Sequence, residues 1–228
     1  MQRSIIHFPS LKYRTFDWRL NVRGRAANES ITGTGQVVMG VLPRWECSAQ
    51  IVLKSKADTL LWRAIIGQMK GRINIARLKV LDPLRPSFTD AGAAPIGQGV
   101  PFDDDAFFDD DAGFDQSLSA SLSVAASAGD TSITVNANNW GDSVQAGHMI
   151  GIDDWIYRVS GVSGSASARV LNIEPALRRN APAGRTVSAD PYALMVFEAD
   201  TQSVEVLELG LSPAAFVEVR LLEHINRD

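Results

Sequence analysis

Side chains that bind metals or do redox chemistry are scarce in this chain: one cysteine and three histidines occur in 228 residues. Cys47 has no second cysteine to pair with, so no internal disulfide forms, and a reducing compartment or a fold that needs no covalent staple is expected. Its flank reads as strand, which makes it a buried structural thiol rather than a nucleophile. His7, His148 and His224 are scattered, without the close spacing of a zinc site, and are read as structural. G-x-S-x-G, Walker A and H-E-x-x-H motifs are all missing. Gly33-Thr-Gly35 and Gly97-Gln-Gly99 lack the following helix that phosphate binding requires. No apolar run approaches the roughly 18–20 residues of a membrane span. The start, Met1 to Pro9, has a short apolar patch and no small-residue cleavage site, so no secretory signal is expected. These absences lead to the expectation of a protein that is not an enzyme and holds no cofactor and no metal.

What is present is apolar material, strand periodicity and an uneven charge layout. Hydrophobic residues make up 45% of the chain, enough for a real core. Residues 1–79 carry fourteen Lys/Arg against four Asp/Glu, a net of +10, whereas residues 80–228 carry eight against twenty-two, a net of −14. Three readings fit this polarity: a nucleic-acid face, copies that meet basic to acidic in a ring, or a solvated surface. The segment Phe102 to Asp115 holds seven aspartates and four phenylalanines in fourteen residues. It lacks the spacing of a calcium loop. It reads as a mobile loop or an arm whose Phe102, Phe107, Phe108 and Phe114 dock on a neighbouring subunit.

Taken in order, residues 1–54 read as β. Arg14 to Val22 alternates, with Phe16, Trp18, Leu20 and Val22 on one face and Thr15, Asp17, Arg19 and Asn21 on the other. Arg23 to Ser30 reads as a polar loop. Gln36 to Leu42 and Trp45 to Lys54 are strands, the second with Trp45, Cys47, Ala49, Ile51 and Leu53 on its apolar side. One helix is expected over 59–70, capped by Asp58 and stopped at Gly71, with Leu61, Ala64, Ile65 and Met69 as its apolar stripe and Leu60 and Trp62 alongside. Ile73 to Leu81 is the next strand. Residues 91–125 read as a flexible acidic connector, and Ser117 to Ser127, which alternates serine with small apolar residues, reads as an extended segment. Residues 126–190 then carry five short strands, at 132–136, 149–152, 155–159, 169–173 and 185–189, with Gly161 to Ser167 as a loop. Strands return at 192–198, 203–209 and 215–223. The fold class is mainly β: a β-sandwich host (1–90 plus 191–228) with one flanking helix, interrupted by a small β-barrel-like or oligonucleotide-binding-fold-like inserted domain.

Arg19, Arg23 and Arg25 beside Trp18 form a basic strand and turn, suited to an inter-subunit contact or to a phosphate backbone. Residues 126–191 have a net charge of −1, which is poor for a phosphate groove. Trp140, Trp155 and Tyr157 are either a sugar platform on the insert or its core, with core favoured.

The segments Ala128-Gly-Asp-Thr-Ser-Ile-Thr-Val135, Ala146-Gly-His-Met-Ile-Gly-Ile152, Trp155-Ile-Tyr-Arg-Val159, Asn172-Ile-Glu-Pro-Ala-Leu-Arg178 and Ala183-Gly-Arg-Thr-Val187 together resemble a β-module common in tail-tip proteins of long-tailed phages. The flanks resemble the β-sandwich and packed helix of phage distal tail proteins. The resemblance implies a virion structural protein, assembled in the host bacterial cytoplasm and located at the tail tip. It implies a homo-hexameric ring joining the tail tube protein to the baseplate hub and the receptor-binding or tail-fibre proteins. No membrane and no specific nucleic acid are implied as partners, although DNA would pass through the ring. No catalytic or binding residue comes with the resemblance. A carbohydrate- or nucleic-acid-binding β-module is the alternative, and a tail-associated hydrolase the weakest reading.

Overall fold

The computed structural model describes residues 3–9, 11–22, 24–26, 37–39, 42–88, 90–91, 101, 104–106, 108, 113, 118–138, 140, 143–199 and 215–227. The chain divides into two compact units. The first comprises residues 1–81 and 193–228, and the second residues 82–192. The structure is mainly β, with one α-helix among the described residues.

In the first unit the strands are β1 (Ile5–His7), β2 (Tyr13–Asn21), β3 (Gly24–Ala26), β4 (Val37–Met39), β5 (Arg44–Leu53) and β6 (Ile75–Lys79). Helix α1 (Lys56–Met69) lies between β5 and β6. Six strands form one sheet in the order β1-β6-β13-β14-β5-β2, where β13 is Tyr192–Phe197 and β14 is Ala215–Glu223. β3 and β4 form a separate two-stranded ribbon. Gly24–Ala26 therefore lies in a strand where the polar text reads as loop, because its register with Val37–Met39 supplies the backbone partners. The strand expected at 203–209 lies outside the described residues.

The period-2 pattern sets which side chains are dry. On β5, Trp45, Cys47, Ala49, Ile51 and Leu53 are buried, and the alternate residues lie at least partly in solvent. β14 supplies Val217, Val219 and Leu221 to the same face, in register with Ile51, Ala49 and Cys47. Edge-to-face aromatic contacts extend this face through Tyr13, Phe16, Trp18 and Trp45, with ring centroids 4.8, 5.7 and 6.5 Å apart along that series.

Helix α1 starts one turn earlier than the periodicity predicts. Ser55 is the N-cap: its hydroxyl accepts from the Asp58 N–H at 3.1 Å, and Asp58 in turn accepts from the Ser55 N–H at 3.0 Å. Asp58 thus occupies the third helical position of a capping box instead of the cap itself. Lys70 takes the left-handed conformation that ends the helix, at φ 48°. The buried stripe is Trp62, Ile65 and Met69, while Leu60 and Leu61 are exposed. Trp62 meets Phe8 edge-on at 6.5 Å, so the dry face of the helix centres on Trp62 and not on Leu61. The Ser55 hydroxyl and the Ser55 and Lys54 N–H groups hold the exposed Asp58 carboxyl below the ordinary carboxylate range. A depressed folded-state pKa contributes stability above the unfolded value, lost as pH falls through the folded one. Acid titration followed by far-UV circular dichroism should therefore show a loss of helix signal that Asp58→Asn shifts. Ser55→Ala should cost about 1 kcal/mol at neutral pH in denaturant unfolding.

The second unit contains β7 (Ser119–Leu122), β8 (Ser132–Asn136), β9 (Met149–Ile152), β10 (Trp155–Ser165), β11 (Ala168–Glu174) and β12 (Thr186–Ser188). Their pairings close on themselves in the order β10-β11-β8-β7-β12-β9. The extended segment expected at 117–127 contains a strand, which adds a sixth to the five expected in this unit: β7 pairs with both β12 and β8 and buries Ala120 and Leu122. The expected loop at 161–167 is corrected. β10 runs through to Ser165 and pairs with β11 down to Ser165–Ala168. Gly164 permits that hairpin, at φ +82° with Ala168 O where a Cβ would stand. Asp153 and Asp154, at φ 53° and 61°, form the two-residue turn between β9 and β10. Arg185 Nε donates to Asp153 at 2.6 Å and holds that turn.

Every residue of β9 is buried, so both of its faces are covered. Gly151 has Pro191 against it: a Cβ there would lie 2.6 Å from Pro191 Cβ and 3.1 Å from its Cα. Gly151→Ala is expected to destabilise by about 1–3 kcal/mol through overpacking. An unchanged melting temperature would show that Pro191 yields freely.

Candidate functional site

The wet face of the β2–β5–β14 sheet is a ladder of charge. Cross-strand register places Arg19 beside Glu46, Asp17 beside Ser48 and then Arg220, and Thr15 beside Gln50 and then Glu218. Arg19 Nη2 lies 3.7 Å from Glu46 Oε2, and Asn21 Nδ2 donates to Glu46 Oε1 at 2.7 Å. The Arg19 side chain is 76% exposed, so this pair adds little to stability and leaves the guanidinium available to a partner. Asp17, Arg19, Glu46, Ser48, Glu198 and Arg220 line a cleft of about 260 Å³ on this face. The Arg14 guanidinium stacks over the Phe216 ring at 5.4 Å, and Phe216 is 45% exposed. β2 ends the sheet, and no described strand pairs with its outer edge.

Below this face lies Cys47. Burial, and then the charge of Asp17, push its thiol far above the ordinary range, which removes it as a nucleophile at neutral pH. Iodoacetamide is expected to label Cys47 only in denaturant; labelling of the folded protein within minutes would contradict this.

A second, larger cleft in the same unit has a volume of about 790 Å³ and is lined by Arg3, Arg44, Arg72, His224 and Asn226 with Leu42, Ile73, Val196 and Ile225. His224 sits near Arg3, its Nδ1 3.5 Å from the Arg3 Nη1. Burial, and then the charges of Arg3, Arg227 and Arg44, hold the imidazole below its ordinary pKa, so it is neutral at pH 7. Arg44 Nε donates to the Glu223 carbonyl at 2.7 Å, and the Trp45 N–H donates to the buried Glu223 carboxylate at 3.1 Å. These bonds lock the strand that presents Arg44. The sequence reading missed this cleft, because its residues come from five separate segments and share no motif.

Of the residues singled out from the sequence, Arg19 is exposed on β2, and Arg25 lies on β3. Phe108 is 44% exposed. Arg23, Phe102, Phe107 and Phe114 lie outside the described residues. Trp140, Trp155 and Tyr157 are not a ligand platform: they are 0%, 4% and 1% exposed and belong to the core of the second unit. The reason is closure of the strand ring, which turns these side chains toward Ile133, Val135, Ile150 and Leu171. The Tyr157 hydroxyl accepts from the Arg178 N–H at 3.1 Å, and the Arg178 guanidinium lies over the Trp155 ring at 5.9 Å. Arg85, Arg158 and Arg185 each pair with a carboxylate of the same unit, Asp190, Glu174 and Asp153.

Among the described residues no group of three or more His, Cys, Asp or Glu side chains converges as metal ligands would. No described helix is long and apolar enough to cross a membrane. No protein-family model matches the sequence, and no curated protein matches it.

Proposed function

We propose that the chain is a structural subunit of a phage tail tip, forming a ring that joins the tail tube to the baseplate hub and receptor-binding parts. One observation carries most weight: a β unit built from both ends of the chain, resembling the distal tail protein host, is interrupted by a β unit resembling the tail-tip module. The charge layout supports the same reading. The first unit carries sixteen Lys/Arg against eleven Asp/Glu, and the second six against fifteen, net charges of +5 and −9. Opposite charge on two parts of one subunit favours head-to-tail contact between copies, which closes into a ring when the rotation allows. The exposed charge ladder of β2, β5 and β14 is a surface on which such contacts gain register. Assembly takes place in the host cytoplasm, with the finished ring in the virion.

The carbohydrate- or nucleic-acid-binding alternative has less support, since its three aromatic residues are core and the second unit is acidic. Light scattering on the eluting protein, together with electron microscopy of tail particles, tests the ring. A hexamer is expected. A protein that stays monomeric at high concentration and is absent from tail particles would sink the proposal.

A further inference from the structure

The larger cleft of the first unit combines two features, basic side chains and exposed apolar ones. Arg3 and Arg72 are exposed at its mouth, Arg44 is fixed by its bond to the Glu223 carbonyl, and no carboxylate lines the cleft among the described residues. The exposed Arg3 and Arg72 give the mouth positive charge, which attracts an anionic partner. The apolar lining is just as marked: Leu42 is 58% and Ile73 44% exposed, and Val196 and Ile225 extend the lining. A bare phosphate or a nucleic-acid backbone would use the arginines and leave Leu42 and Ile73 in water. A peptide that alternates carboxylates with large apolar side chains would use both. The volume of about 790 Å³ lies within the range of ligand pockets, roughly 300–1,000 Å³, and suits a few residues of chain.

One segment of this sequence has that chemistry. From Phe102 to Asp115 it carries seven aspartates and four phenylalanines. We propose that the cleft formed by Arg3, Arg44, Arg72 and His224, with Leu42 and Ile73, is the docking site for the Phe102–Asp115 run of a second copy of this chain. The inference rests on the ring reading, because a head-to-tail contact needs two different, complementary patches on each subunit. It moves the basic half of that contact from Arg19, Arg23 and Arg25 to a concave site. The aspartates face the guanidinium groups, and a phenylalanine ring covers Leu42 and Ile73. Apolar contact then supplies affinity that salt does not screen, while the charges set orientation and speed of encounter.

The test uses the full chain with the aspartates and phenylalanines of its own run replaced by serine, so that the run cannot compete. A fluorescently labelled synthetic peptide of residues 101–116 is titrated by anisotropy. Saturable binding is expected, weakened by about tenfold or more in Arg3→Glu and in Arg72→Glu, and largely retained in Arg72→Lys. A peptide with its four phenylalanines changed to serine should bind more weakly by a similar factor. Binding that is insensitive to both arginine reversals, with circular dichroism showing folded protein, overturns the proposal. A single-stranded oligonucleotide of equal charge that displaces the peptide at equal concentration also overturns it, since charge alone would then explain the site. Light scattering on the unsubstituted chain separates the two claims. A hexamer that persists in Arg72→Glu, with no peptide binding, removes this contact and leaves the ring. A monomer at all concentrations removes the ring, and with it the second copy as occupant.

Discussion

Replacing Trp140 with alanine is expected to destabilise the second unit by about 3–5 kcal/mol, enough to unfold a marginal domain. Trp140 is fully buried, within a core that includes Ile133, Val135, Ile150, Tyr157 and Leu171. Truncation removes one of the two tryptophans of that core, and a ring of paired strands collapses poorly around the void. The indole N–H of Trp140 has no hydrogen-bond partner among the described residues. A buried unpaired donor itself costs about 1–3 kcal/mol. Trp140→Phe should therefore cost much less than Trp140→Ala, because losing ring volume is offset by removing the donor. Denaturant unfolding of both variants, followed by tryptophan fluorescence and near-UV circular dichroism, measures the difference. Equal losses for the two variants would show that the indole N–H is satisfied.

Trp62→Ala is expected to cost about 3–5 kcal/mol in the first unit. Trp62 and Met69 are completely buried and Ile65 almost so, and together they form the stripe by which α1 holds to its sheet. A fourteen-residue helix is marginal alone, so its stability comes chiefly from that stripe. The capping box cannot compensate, since it contributes about 1 kcal/mol. Hydrogen exchange should show the α1 amides losing protection before those of β5 and β14, because the strands retain each other as partners. Leu61→Ala, at 40% exposure, is the contrast and should change stability by less than about 1 kcal/mol. A large effect at Leu61 and a small one at Trp62 would restore the apolar stripe that periodicity alone predicts.

That contrast marks where sequence reasoning stops. Both Leu61 and Trp62 fit a helical stripe, since a shift of one residue turns the face by about 100° and the apolar set 60, 61, 62, 65 and 69 is broad. The phase is set by what packs on the helix from distant segments, Phe8 against Trp62 among them. Strands are legible where alternation is strict, as on β5 and β14, because one dry face imposes a period of two. β7 is legible along the chain only as an extended segment, not as a member of the ring. Its text, Ser-Ala-Ser-Leu, carries little apolar signal, and Ala120 and Leu122 become core only through pairing with β8 and β12. β3 offers still less: Gly24-Arg-Ala26 is strand because Val37–Met39 lies beside it.

For the candidate site, the charge split between the two parts of the chain and the Asp/Phe run were legible at once. The cleft that complements the run was not. Arg3, Arg44, Arg72 and His224 stand in four separate segments, and only the sheet order brings those segments to one place. The scarcity of cysteine and histidine, the single helix, the alternating strands and the uneven charge are local properties, carried by composition and short-range periodicity. Burial of Trp140, Trp155 and Tyr157, rotation of the Trp62 stripe and the basic cleft are different in kind. Each depends on what packs against a side chain from a distant segment, and no period along the chain encodes that.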